Sequence, residues 1–335
     1  MNRTIKDVSI VIVTYNGDDM TRNCLDSLTA ACGKEPQIVV VDNSPSAATR
    51  RMVSVYSNAI YVPSPGNPGF AGGNNRALPY CDRPYILLLN NDTIVHTGES
   101  IGQMARFLEE NEKCGVVQGR GRLPRVGDTL AGCGAYLTPF GFLWSTGFME
   151  SSCPRFDVAH PCFAIGGFFM MFRRQDLSRY GGFLFRSKFW CYYEEIDFCH
   201  RVWLSGKEVW YLPTPPIDHL LGMTSGRFAW DSVMGRYLRN ILFSLGANLS
   251  FCSRMFMLPM VRVGIAAHAL LCLVRGRWKM FKGEMSALGF SSRQSRLSLA
   301  AARRQSQRIR KVSDREIFKV CMRMPPLSSI LARVK

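Results

Sequence analysis

The chain has 335 residues, 47% of them hydrophobic, which excludes wholesale disorder and leaves room for a sizeable core with an appendage. Its twelve cysteines form no CxxC pair, which leaves a zinc ribbon, a thioredoxin-like site or a secreted disulfide framework without support and favours a reducing, cytoplasmic setting. The net charge of +17 is lopsided: residues 251–335 hold 18 Lys/Arg against three acids, so the basic character belongs to the tail and a nucleic-acid-binding core is disfavoured.

Residues 1–16, MNRTIKDVSIVIVTYN, have too short an apolar run for a signal peptide, and their β-branched residues predict a strand over 8–13. A helical pattern follows over 19–30, a second strand over 37–41 ends in Asp42, Asn43 and Ser44, and a helix covers 47–56. A short strand over 59–62 leads into a glycine-rich loop, PSPGNPGFAGGNNRAL. Next comes YILLLNNDT (85–93), an apolar run that stops at Asn90, Asn91 and Asp92 and reads as a strand buried on both faces of a parallel sheet. The alternation of strand and helix predicts an open α/β sheet with right-handed crossovers, and every polar cluster falls at a strand's carboxyl end, where such sheets bind ligands.

The chemistry of these ends points to a nucleotide and a cation. Asp92 at a strand tip suits a hard divalent ion held against phosphate oxygens, although Asn-Asn-Asp-Thr is also ordinary turn chemistry. Asp42 can accept from a base imide or a ribose hydroxyl, or cap a helix with Ser44 and Ser46. Gly69, Gly72 and Gly73 permit close backbone approach and bare amides for an anion, without forming GxGxxG.

A helix is predicted over 99–110 and a strand over 115–118; residues 119–161, rich in Gly and Pro, read as an excursion that either shapes the acceptor side or is inert. FAIGGFFMMF (163–172) reads as a core strand whose Gly166-Gly167 pair implies close backbone contact. Glu194, Glu195 and Asp197 open a helix ended by Gly206, as suits the helix dipole. The aromatics Phe189, Trp190, Tyr192 and Tyr193 either stack on a sugar or pack the core. Residues 255–274 are almost wholly apolar but interrupted by Pro259, Arg262, Gly264 and His268, and basic runs follow. Amphipathic basic helices lying on an anionic leaflet account for both features; an RNA or protein partner, or a merely solvated tail, would also do so.

Taken together, VSIVIVTYNG, IVVVDNSP, NPGFAGGNNRAL and LLLNNDT, in this order and spacing, resemble family 2 glycosyltransferases of the GT-A fold, especially their rhamnosyltransferase-like branch. The resemblance spans roughly residues 8–280. It implies that Thr14, Tyr15, Asn16, Asp42 and Asn43 hold the nucleoside, that Gly69, Gly72, Gly73 and Asn74 lie along the nucleotide with Asn90 and Asn91, and that Asp92 binds Mg²⁺ or Mn²⁺. His219, in a segment PPIDHLLGMTS like the family's closing His-Gly-Ser, is implied as a second metal or diphosphate contact. The EEIDFCHR block matches the family's acid block: Glu195 is the expected catalytic base, Glu194 the next choice, and Asp197 a support or acceptor contact. Trp190 and Tyr193 are expected on the acceptor side. Where the family has Asp, this chain has Glu195, whose extra methylene moves the carboxylate by about 1.5 Å.

The expected protein is thus a catalytic domain over 1–230, divided near 118 into nucleotide-sugar and acceptor halves, with a basic helical tail over 231–335. It would transfer a sugar, L-rhamnose from dTDP-rhamnose being the first choice, with inversion, to a saccharide or lipid-linked acceptor in cell-surface polysaccharide synthesis. It would sit peripherally on the inner membrane face, bind no nucleic acid, and be compatible with an oligomer. A non-catalytic nucleotide-sugar-binding or scaffolding subunit is the alternative; a nicotinamide oxidoreductase is disfavoured because no GxGxxG follows the first strand.

Overall fold

The computed structural model describes residues 4–220, 230–289 and 293–325. The chain runs β1 (Val8–Thr14), α1 (Asp18–Cys32), β2 (Gln37–Asp42), α2 (Ala47–Ser54), β3 (Ala59–Pro63), α3 (Gly69–Ala77), β4 (Tyr85–Leu89), β5 (Thr93–Ile94), α4 (Glu99–Glu110) and β6 (Cys114–Gln118). Five short strands follow: β7 (Gly121–Leu123), β8 (Thr129–Leu130), β9 (Ala135–Leu137), β10 (Leu143–Ser145) and β11 (His160–Pro161). Then come β12 (Phe169–Arg173), α5 (Glu194–Leu204), β13 (Glu208–Tyr211) and β14 (Ile217–His219). Helices close the chain: α6 (Trp230–Asn248), α7 (Phe251–Val274), α8 (Trp278–Leu288), α9 (Arg293–Ile309) and α10 (Asp314–Cys321).

The main sheet has the order β11-β13-β6-β12-β4-β1-β2-β3. It is mostly parallel, with β12 antiparallel to both β4 and β6. As expected of its unbroken Ile/Leu run, β4 lies near the middle and is buried at every position. The two faces of the sheet anchor two apolar clusters, one beneath α1 and α4, the other shared by α3, α5 and the C-terminal helices. A second sheet, β5-β14-β7-β8, takes two of its four strands, β7 and β8, from the segment 119–161.

One expectation is corrected. The glycine-rich stretch is not a loop beyond its first residues: Gly69–Ala77 is helical. Its glycines serve packing, since a Cβ on Gly73 would lie 2.7 Å from Val13 Cγ1 and one on Gly72 would lie 2.5 Å from Pro68 Cβ. The C-terminal helices, present as expected, pack onto the core. Leu238, Ile241, Leu245 and Val261 belong to the same core cluster as Val11 and Ile86, Lys311 N donates to Leu204 O, and Arg323 N donates to Leu137 O. The apolar residues of α6 had no visible partner in sequence because they pack on helices distant along the chain, chiefly α8 and α9, and also on α5.

Candidate active site

The carboxyl ends of β1, β2 and β4 converge, as the strand order requires. Asn43 N donates to Thr14 O across the β1–β2 gap, and the Asn43 amide donates to Gly69 O at the start of α3. Asn91 Nδ2 donates to Thr21 Oγ1 at 3.2 Å and reaches Thr14 Oγ1 at 3.4 Å, tying β4 to α1. Asn16 takes a left-handed backbone, and its N–H donates to Ser44 Oγ. Tyr15 lies between these anchors, half-buried. Asn74 is internal to α3, donating to Phe70 O.

Asp42 departs from its expected role. Its buried carboxylate accepts from Ser44 N (2.9 Å), Ser44 Oγ (3.2 Å), Ser46 N (3.2 Å) and the Tyr61 hydroxyl (3.0 Å). Three of these bonds close its own turn and the fourth comes from β3, while Ser46 caps α2 by accepting from Thr49 N. The open acceptor at this strand end is Asn43 Oδ1, buried without a partner.

The cation site is built by topology. β14 pairs antiparallel with β5, setting His219 opposite Thr93, next to Asp92. His219 Nε2 lies 3.3 Å from Asp92 Oδ1 and 3.4 Å from Asn90 Nδ2. The imidazole stacks on Phe168, with centroids 4.6 Å apart and rings 8° from parallel. Asp92 Oδ1 and Asn90 Oδ1 are both buried with no hydrogen-bond donor. An orphaned carboxylate oxygen 3.3 Å from an imidazole nitrogen is what a divalent cation would satisfy, and the mixed O/N donor set suits Mn²⁺ or Mg²⁺, with nitrogen favouring Mn²⁺. Asp92 and His219 fit that group; Gly222 and Ser225 of the closing segment lie outside the described residues. Asp218, beside His219, accepts from Arg122 Nε at 2.8 Å and sits 2.9 Å from His96 Nε2, which holds β14 in place.

Across from this pair lies the acid block. A cavity of ≈ 320 Å³ is lined by Glu195, His219, Phe168, Gly166, Gln118 and Tyr237 among others. The strands of the 119–161 excursion supply its far wall through Ala131, Gly132, Leu143 and Phe148, so that segment shapes the site. Gln118 clamps the wall by accepting from Gly166 N (2.7 Å) and donating to Gly132 O (2.9 Å). Gly167 lies beside the acid block: a Cβ there would sit in ordinary contact, 3.5 Å from Glu195 Cβ.

The three acids have three fates. Glu195 is half-buried on the cavity with Oε2 unpartnered, and burial pushes its carboxyl up to about 7. Glu194 is buried and does not line the cavity; its Oε2 is also unpartnered, and burial and the neighbouring Glu195 charge raise its carboxyl well above the ordinary range. Asp197 does not line the cavity. Burial alone would raise its carboxyl, but Arg186 and Arg201, with hydrogen bonds from Asn248 and Ser244, overcome that and hold it low. Asp197 Oδ2 accepts from Arg186 Nε (3.0 Å) and Arg201 Nε (3.1 Å), and Oδ1 from Ser244 and Asn248 at 2.9 Å each. It is a structural hub joining α5 to α6, of the kind whose breaking costs about 3–5 kcal/mol.

The expected acceptor aromatics also separate. Tyr193 is 2% exposed and packs edge-on against Tyr237 at 5.8 Å, so it is a core residue. Trp190 is half-buried; its indole N–H donates to Asn67 O, and Arg236 lies over its ring at 4.5 Å. Sequence reasoning missed Gln118, Phe168 and Tyr237. Phe168 was grouped with the core strand, and only the pairing of β14 with β5 reveals the histidine it supports.

Comparison with known proteins agrees with this geometry. The profile of glycosyl transferase family 2 matches residues 9–180. The low-salt glycan biosynthesis hexosyltransferase Agl10 of Haloferax volcanii is 28% identical over 204 residues, covering 59% of this chain and 62% of that protein, so the match spans less than two thirds of the relative's length. The rhamnosyltransferase WbbL of Escherichia coli is 26% identical over 217 residues, 62% of this chain and 80% of that protein. Among solved structures, the mannosyltransferase PcManGT of Pyrobaculum calidifontis, in complex with GDP-Man and Mn²⁺, superposes with a TM-score of 0.53 at 16% identity over 84% of this chain and 85% of that one. That likeness establishes the GT-A fold, and with the profile match over half its length the chain belongs to glycosyl transferase family 2.

Proposed function

We propose that the chain is an inverting, metal-dependent glycosyltransferase that moves L-rhamnose from dTDP-rhamnose to a saccharide or lipid-linked acceptor in cell-surface polysaccharide synthesis. The observation that carries the reading is geometric: the Glu195 carboxylate, with Oε2 unpartnered, lines the same cavity as the His219 that touches Asp92, and its burial raises the carboxyl toward the range of a general base. Glu195 accepts the proton of the acceptor hydroxyl as that oxygen bonds to the anomeric carbon. The bond from that carbon to the diphosphate oxygen breaks, and the nucleoside diphosphate leaves. With Glu194 off the cavity lining and Asp197 locked in ion pairs, Glu195 is the carboxylate of the block placed to act, which fits direct displacement with inversion. A cation held by Asp92 and His219 offsets charge on the leaving diphosphate when bound. The names of WbbL and Agl10 support a hexose or deoxyhexose as the transferred sugar. A panel of nucleotide sugars with Mn²⁺ or Mg²⁺ and a set of saccharide and lipid-linked acceptors tests this: dTDP-L-rhamnose is expected to turn over with inverted anomeric configuration by NMR. Retention, or a clear preference for another donor, would refute it.

The C-terminal helices support a site on an anionic, cytoplasmic membrane surface. α7 is the one helix among the described residues long and apolar enough to cross a bilayer. It packs on the protein through Met257, Val261, Ile265, Ala269 and Cys272, a stripe at helical spacing. Its outer face exposes Phe251, Phe256, Val263, Leu270 and Val274, and Arg275, Arg277 and Lys279 follow on the surface. A helix docked along one side and greasy on the other suits lying in the interface, with the cations among lipid headgroups. Co-sedimentation is expected with phosphatidylglycerol-containing vesicles at low salt, weakened by Phe256→Asp; equal recovery with neutral vesicles and with this variant would remove the claim.

A further inference from the structure

We infer that His268, Cys272 and Glu284 form a site for one zinc-class transition-metal dication that staples α7 to α8, apart from the catalytic cleft. His268 and Cys272 are four residues apart on α7 and so share a face, while Glu284 comes from α8. One ligand atom from each lies within 4.8 Å of the others. His268 Nδ1 is 2.7 Å from Glu284 Oε1 and 3.7 Å from Cys272 Sγ.

The observation pointing to a ligand is Glu284. It is 1% exposed, on a helix face whose other buried members are Met280 and Ala287, and its Oε2 has no partner. Packing alone would favour an aliphatic residue there, because a buried carboxylate with an idle oxygen is costly. A simple His268–Glu284 ion pair uses one carboxylate oxygen and leaves the other stranded. A dication engages the carboxylate and the Cys272 thiolate together and cancels both charges. Nitrogen, sulfur and oxygen donors in one cluster favour zinc over the hard cations expected at Asp92. His268 is half exposed, which leaves a solvent side for delivery and a fourth, water ligand. Gly283, next to Glu284, is where α6 rests: a Cβ on Gly235 would meet Gly283 O at 2.4 Å. The staple thereby braces the helix that presents Tyr237 to the cavity.

The full chain carrying Asp92→Ala, purified without chelator, separates this site from the catalytic cation. It is expected to retain about one equivalent of zinc and, when loaded with Co²⁺, to show a thiolate-to-cobalt charge-transfer band. Cys272→Ser should abolish the band, and His268→Ala, a change at a half-exposed position, should weaken zinc binding about 100-fold or more, beyond the effect of losing an outer-shell partner. Zinc should raise the melting temperature of the parent and not of His268→Ala. Absence of the band in the parent, binding by Cys272→Ser as tight as in the parent, or an equal thermal shift in both proteins would overturn the inference.

Discussion

Replacing Glu195 by glutamine is expected to lower kcat about 10²–10⁴-fold while leaving nucleotide-sugar affinity unchanged, because the amide keeps the shape of the side chain and loses the capacity to take a proton. The pH dependence follows from burial. The carboxyl is pushed up to about 7, so it is protonated and idle on the acid side of that value and ionised above it. The wild-type rate should therefore rise as pH passes through neutrality, on the limb where an ordinary carboxylate would already be flat. Single-turnover rates over a pH series check both statements. A Glu195→Gln variant with near wild-type turnover, or a profile flat across neutrality, would move the base elsewhere.

Asp92→Ala should be as damaging for a different reason. Its Oδ1 is an orphan facing His219, so removal leaves a cation with the imidazole alone, and stabilisation of the leaving diphosphate falls by about 10²–10³-fold in rate. The variant should also lose the Mn²⁺ dependence of nucleoside diphosphate binding measured by calorimetry. Unchanged yield together with an unchanged divalent requirement would show that the strand tip is only a turn.

The strand-end chemistry was legible because it is local: β1, β2 and β4 announce themselves by apolar runs, and their polar termini must share one edge once the crossovers are right-handed. α4 is read at its exact bounds, Glu99–Glu110, from periodicity alone. What was not legible depends on pairings made across long stretches of chain. Asp197 looks like a third acid of a catalytic block until Arg186, Ser244 and Asn248 surround it, and none of these is near in sequence except the first. The stretch from Gly69 reads as a loop because glycine disfavours helix. The helix forms anyway, since only residues without side chains fit against Val13 and Trp190. The tail's positive charge is on the surface as expected, but the apolar positions of α6 between its polar ones close the underside of the acid-bearing helix.

That close seating of α3 reaches further than packing. Ala71 N donates to Trp190 O at 3.3 Å, and a Cβ on Gly69 would fall 2.0 Å from the same oxygen, so the helix beside the nucleotide pocket and the segment leading into Glu194 touch through their main chains. The Trp190 indole reinforces the contact by donating to Asn67 O. On the proposed reading, a shift of this helix would pass through the Trp190 backbone to the segment that carries Glu195, which would link the fit of the donor to the placement of the base.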